Sequence, residues 1–190
     1  YSGFLQNEWK NEKWGILLGG RLDKHNMVDN VIFSPRANLR FNPTQNINLR
    51  LSYSSGFRAP QAFDEDMHIE NVGGTVAMIE RAKDLKEEKS QSFSVSADMY
   101  HRFGAFQTNL LIEGFYTRLT DVFVLGEPYD RGDGILVKTR SNGPGAKVMG
   151  LTLEGKVAYL SILQIQAGLT LQRSRYDEPH KWHDDAPAEK

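Results

Sequence analysis

The chain has 190 residues, of which 39% are hydrophobic and 11% aromatic, with a formal net charge of −1 and no cysteine. The near-zero charge gives no electrostatic case for nucleic acid, and the missing thiols leave no disulfide framework and no thiolate metal centre. No run of about 20 apolar residues could cross a membrane as a helix, but a transmembrane β-barrel survives that exclusion, because its strands give alternate positions to a polar interior.

Eight stretches alternate with the period of two that marks a strand. They are expected at about Ser2–Trp9, Trp14–Asp23, Phe33–Phe41, Ile47–Ser54, Gln91–His101, Phe106–Leu119, Val148–Tyr159 and Leu163–Arg175. In the fourth, Ile47, Leu49, Leu51 and Tyr53 share one face, and Asn48, Arg50, Ser52 and Ser54 the other. It runs into Gly56-Phe57-Arg58-Ala59-Pro60. There a glycine permits a bend and a proline removes a ladder donor, so pairing is expected to stop. In the seventh, Leu151, Leu153 and Val157 oppose Thr152, Glu154 and Lys156. In the eighth, Leu163, Ile165, Ala167, Leu169 and Leu171 oppose Gln164, Gln166, Gly168, Thr170 and Gln172. Only Met78–Lys89 departs from this rhythm, and it reads as a short charged loop helix.

Short and long connections alternate along the chain. Asn11–Lys13, Asn42–Asn46, Arg102–Ala105 and Leu160–Ile162 are tight, whereas Lys24–Ile32, Gly56–Ser90, Thr120–Lys147 and the tail from Tyr176 are long. A 35-residue irregular segment such as Gly56–Ser90 sits badly in a compact soluble domain. It suits a barrel with tight turns at one end and large loops at the other. Trp9, Trp14, Phe41, Phe103, Phe106 and Tyr159 all lie beside the tight turns, as a membrane-interface girdle requires. Cross-strand aromatic packing at hairpin ends gives the same pattern. Alternation alone leaves open which face is wet, because a soluble sandwich hides the apolar stripe that an outer-membrane barrel shows to lipid.

The order of motifs is more specific. Ser34-Pro35-Arg36-Ala37-Asn38-Leu39-Arg40 leads through Asn42-Pro43-Thr44-Gln45-Asn46 to Leu49-Arg50-Leu51-Ser52-Tyr53, then Gly56-Phe57-Arg58-Ala59-Pro60 and Phe63-Asp64-Glu65-Asp66. This order resembles the β-barrel of TonB-dependent outer-membrane receptors. So do Leu85–Ser90, where the family's chain re-enters the barrel wall, and Asn142–Gly150 followed by the strand at Leu151–Lys156. The resemblance covers most of the chain and is densest over 34–62. It implies an all-β, antiparallel, up-and-down transmembrane barrel, present here in part as about eight strands of a larger one. Residues 1–190 then form a fragment of the barrel domain without the plug. Two features of the sequence agree with an excised middle-to-late segment: Tyr1 follows no initiator Met or signal peptide, and 178–190 reads as a loop cut short.

The functional expectation follows from the resemblance. The parent protein is an outer-membrane receptor of a Gram-negative bacterium that takes up a scarce solute by TonB-energised transport: a metal chelate such as a siderophore, cobalamin or a glycan. Its partners are outer-membrane lipid, its own plug, the TonB complex and the small solute, with no nucleic acid and no cofactor. Arg36, Arg40, Asn48, Arg50, Glu113, Glu154, Lys156, Gln164 and Gln166 are expected to face lumen or plug, with the three arginines suited to plug carboxylates. Arg58, Asp64, Glu65, Asp66 and His68 are candidates for the substrate vestibule.

Other features are plainer. Asp64, Glu65, Asp66 and His68, and again His180, His183, Asp184 and Asp185, gather donor atoms but lack a tight ligand spacing, so no metal is assigned. Gly73-Gly74 and Gly143-Pro144-Gly145 read as turns, and Arg131-Gly132-Asp133 as a chance triplet. No nucleophile elbow or carboxylate pair gives catalysis a foothold. The competing classes are a soluble all-β binding module and an outer-membrane barrel adhesin or enzyme.

Overall fold

A computed structural model describes residues 1–26, 28, 30–60, 69–72, 75–132, 136–160 and 162–178. Eight antiparallel strands form one sheet: β1 (Ser2–Lys10), β2 (Trp14–Asp23), β3 (Ile32–Thr44), β4 (Ile47–Arg58), β7 (Glu88–Phe103), β8 (Phe106–Thr120), β12 (Ala146–Tyr159) and β13 (Leu163–Tyr176). Their spatial order is β1-β2-β3-β4-β7-β8-β12-β13. Neighbours in the sheet therefore follow chain order, the up-and-down topology expected, and β1 and β13 are its two open edges. The strands mostly run one to three residues beyond the alternating stretches.

Local chemistry closes the tight turns. Asn11 Oδ1 accepts hydrogen bonds from the backbone N–H groups of Lys13 (3.0 Å) and Trp14 (2.7 Å), folding the chain from β1 to β2. Between β7 and β8, Gly104 adopts φ 57°, a conformation that favours glycine. A register shift between Phe41 and Thr44 bends the end of β3 against β4.

Three sequence expectations need correction. Pairing does not stop at Gly56: Gly56, Phe57 and Arg58 pair with Ser90, Lys89 and Glu88, and β4 ends only before Ala59-Pro60. A glycine tolerates the bend but keeps its N–H, whereas proline cannot donate. The suggested helix over Met78–Lys89 is instead the end of a strand, β6 (Thr75–Arg81), followed by a turn. Two of the long connections, Gly56–Ser90 and Thr120–Lys147, are not wholly irregular either. With β5 (Ile69–Val72), β9 (Val122–Leu125), β10 (Tyr129–Asp130) and β11 (Leu136–Gly143), β6 forms a second sheet in the order β10-β11-β6-β5, and β9 also pairs with β11.

This second sheet joins the two long loops. β6 comes from one and β11 from the other, and they pair in parallel from Ala77↔Leu136 to Arg81↔Arg140. Asn142 fastens the junction: its Oδ1 accepts from Lys86 N (2.7 Å), and its Nδ2 donates to Lys86 O (3.0 Å) and Asp121 O (2.8 Å). Here too lie the buried apolar side chains Ile79 and Val137, the latter wholly inaccessible. Among the described residues of the large sheet only Ile32, at the loop end of β3, is a buried apolar side chain, and many of the large apolar side chains are exposed.

Candidate functional site

Register sorts the large sheet into two faces. On one, Leu49, Leu51, Leu151, Leu153, Ile165 and Leu169 are all exposed, Leu51 at 51% and Ile165 at 60%. A soluble sandwich would have sealed these residues inside. Aromatic rings border this apolar face at two levels. Near the tight turns, Trp14 stacks on Phe41 (centroids 4.2 Å apart) and Phe106 tilts against Tyr159 (4.9 Å). Toward the loops, Tyr53 packs on Phe93 (4.7 Å), which pairs in register with Tyr116. Phe106 and Tyr116 are ten residues apart on β8. At about 3.3 Å per residue and a tilt of about 40°, that separation spans about 25 Å, the height of a barrel's lipid-facing band. Only the turn-side level was marked by residues flanking tight turns. The loop-side level needs the register between strands, because Tyr53, Phe93 and Tyr116 lie well inside theirs.

The opposite face is polar and carries both signs of charge. Arg36, Asn38 and Arg40 of β3 pair with Ser54, Ser52 and Arg50 of β4. Arg36 and Arg40 face Gly19 and Gly15 of β2 on the other side. Gly15 makes room for Arg40: a methyl there would stand 3.3 Å from Arg40 Nε and 3.6 Å from its Cζ. Arg40 Nε is buried and has no hydrogen-bond partner among the described residues. Arg50 Nε donates to Asn48 Oδ1 (2.8 Å), and Asn48 Nδ2 donates to Asn42 Oδ1 (2.7 Å).

Carboxylates lie on both sides of these strands, Glu8 and Asp23 on β1 and β2 and others on β7, β8 and β12. Asn48 pairs with Asp98 and Arg50 with Ser96, which leads in register to Glu113 and then Thr152. Glu154 Oε1 accepts from Gln166 Nε2 (2.6 Å), and Lys156 pairs with Gln166. Gln164 sits opposite Ala158 near the tight turns. All nine lumen-side candidates therefore share the polar face. Asp98, which accepts from Asn109 Nδ2, belongs with them; the alternation of β7 already gave it that parity.

The vestibule candidates divide. Arg58 closes β4 at the loop end, opposite Glu88, with its guanidinium carbon 5.3 Å from the centre of the Phe123 ring. Glu88 Oε2 accepts from Phe123 N at 3.2 Å, so both side chains hold β9 against the sheet. Asp64, Glu65, Asp66 and His68, like His180, His183, Asp184 and Asp185, lie outside the described residues. Arg131 of the Arg-Gly-Asp triplet is held by Glu80 at 2.9 Å. Among the described residues no three His, Asp or Glu side chains are grouped to hold a metal ion.

Solved structures that share this fold include a siderophore receptor and two transporters. The siderophore receptor PirA from Pseudomonas aeruginosa matches with a TM-score of 0.76 at 16% identity, over 93% of this chain and 34% of PirA. The outer membrane transporter YddB from Escherichia coli matches with a TM-score of 0.71 at 16% identity, over 93% of this chain and 24% of YddB. The FrpB iron transporter from Neisseria meningitidis matches with a TM-score of 0.65 at 15% identity, over 92% of this chain and 25% of FrpB. The chain thus spans about a third or less of these proteins. No curated protein matches it in sequence. The family model of the TonB dependent receptor-like β-barrel matches residues 1–188, and the chain belongs to that family, one of receptors and transporters.

Proposed function

We propose that the chain forms part of the wall of an outer-membrane receptor of a Gram-negative bacterium that imports a scarce solute when TonB acts on a plug. One observation carries this reading: a single sheet keeps an apolar face open between two aromatic levels while its other face holds the charge. That arrangement is unstable in water and suited to a lipid–lumen boundary. The apolar face meets lipid, the polar face meets lumen water and plug, and the loop sheet helps form the entry to the lumen. Arg36, Arg40 and Arg50 pair with carboxylates of the plug. The unsatisfied Arg40 Nε supports this, because a buried guanidinium donor without a partner costs about 1–3 kcal/mol.

Among possible cargoes, an iron chelate is favoured over cobalamin or a glycan, because PirA and FrpB are a siderophore receptor and an iron transporter. The test is growth of an iron-starved strain that lacks its own receptors and carries the complete receptor. Growth restored by one class of ferric chelate, and lost without TonB, is the expected result. Growth on no chelate, with uptake of cobalamin or an oligosaccharide instead, rejects the iron assignment. A chain that folds and stays soluble without detergent rejects the membrane reading altogether.

A further inference from the structure

Every Lys and Arg that the large sheet puts on its apolar face lies at the long-loop end. They are Lys89 on β7, Arg118 on β8, Lys147 on β12, and Arg173 and Arg175 on β13. No described Asp or Glu of the eight strands shares that face. Arg118 stands directly opposite Lys147, and Lys147 directly opposite Arg175, so three cations form one row across three strands. Arg173 is opposite Met149, one step nearer the apolar band. The row therefore begins immediately beyond the level of Tyr53, Phe93 and Tyr116, with Leu151, Leu169 and Leu171 exposed below it.

These cations are accessible and only partly balanced. Arg118 is 51% exposed, and Arg173 and Arg175 are exposed. Lys89 is paired with Glu87 at 3.0 Å. Within the row, Asp177 serves two cations at once, 3.5 Å from Arg118 Nη2 and 3.7 Å from Lys147 Nζ. A positive excess remains over β8, β12 and β13. At the level of the row the apolar face of β2, β3 and β4 carries Gly20, Pro35 and Ser55, and one step further out Leu22, Phe33 and Phe57, with no charge on these three strands; Phe57 stands opposite Lys89 of β7. The cluster is thus local, not a general property of the rim.

We infer that Arg118, Lys147, Arg173 and Arg175 form a docking site for the phosphate-bearing headgroup of an outer-leaflet lipid. This rests on the outer-membrane reading above. Charge on the lipid-facing side is costly at mid-height and nearly free at the interface, so its confinement to one level places it among headgroups. Arg and Lys are the side chains suited to phosphate, Arg by its two-pronged geometry and Lys as a point charge. Continuity with the exposed leucines favours a lipid over a free anion, since one molecule then covers both the cations and the apolar surface beneath them.

The test uses the complete receptor, folded in detergent, and native mass spectrometry with diphosphorylated lipid A and dephosphorylated lipid A as probes. The wild type should retain the phosphorylated form and lose the dephosphorylated one. Each cation near an anionic surface is worth about a five-fold change in binding. The triple variant R118Q/K147Q/R175Q should therefore bind on the order of a hundred-fold more weakly, and Arg175→Gln alone about five-fold. Arg102→Gln, at the opposite end and on the polar face, removes the same charge and should change nothing. Asp177→Asn should tighten retention by freeing two cations. Equal retention of both lipids, or no loss in the single and triple variants, overturns the site while leaving the barrel reading intact. A receptor that needs no detergent overturns both.

Discussion

The two faces of the large sheet carry the same strands but opposite electrostatics. The polar face mixes signs throughout, with Arg36, Arg40 and Arg50 on β3 and β4 and Asp98, Glu113 and Glu154 on β7, β8 and β12. The apolar face has no described carboxylate in its strands, and its lysines and arginines all lie at one end. The difference reflects solvent. Water in a lumen tolerates either charge at any height, whereas a hydrocarbon layer tolerates neither until the headgroups begin.

The sharpest way to break this comparison is to make the same change on adjacent residues. Leu110 and Leu111 lie midway along β8 on opposite faces, and Leu111 pairs with Asp98 on one side and Glu154 on the other. Leu110→Arg should cost about 2–4 kcal/mol in denaturant unfolding from vesicles. Leu111→Arg should cost no more than about 1 kcal/mol, since two carboxylates can receive it. Equal losses would mean that the apolar face does not meet lipid.

The next effect tests packing on the polar face. A Cβ at Gly150 would come within 2.5 Å of Phe115 Cζ and 2.7 Å of the Leu171 carbonyl oxygen, whereas one at Gly155, on the apolar face, would meet nothing within 4 Å. Gly150→Ala should destabilise by about 1–3 kcal/mol, because the backbone oxygen cannot move aside as a flexible side chain would. Gly155→Ala should stay within about 0.5 kcal/mol. Identical unfolding midpoints for the two variants would contradict this packing.

Smaller effects are expected from the aromatic level and from the arginines. Phe41→Leu removes the stack on Trp14 while keeping an apolar side chain, and should cost about 1 kcal/mol. The same stack should show in the near-ultraviolet circular dichroism of the wild type and vanish in the variant. Arg40→Gln should be the mildest change in this chain alone, within about 0.5 kcal/mol, because Arg40 Nε gives up no hydrogen bond. In the complete receptor the same substitution should cost more, if plug carboxylates complete the pairing. A large loss in the chain alone would show that Arg40 is already satisfied within the wall.

Much of this arrangement was legible in the residues. The alternation of Leu151–Lys156 and Leu163–Gln172 located β12 and β13, and strand parity gave all nine lumen-side candidates one shared polar face, because the parity of a strand is a property of consecutive residues. The second sheet was not legible. Its strands are short, and β6 pairs in parallel with β11, about 60 residues further along the chain. Nothing in Met78–Lys89 reports a partner so distant, and its charged composition imitates a helix.

What the sequence alone determined is therefore the set of eight strands, their two faces and the contrast between tight and long connections, all encoded within a few neighbouring residues. Tertiary structure decided which residues of different strands stand level. It brought Tyr53, Phe93 and Tyr116 to one height, Arg118, Lys147 and Arg175 into one row, and the two long loops into one sheet. Hydrogen-bond register fixes such levels between segments far apart in the chain, and no local periodicity contains that information.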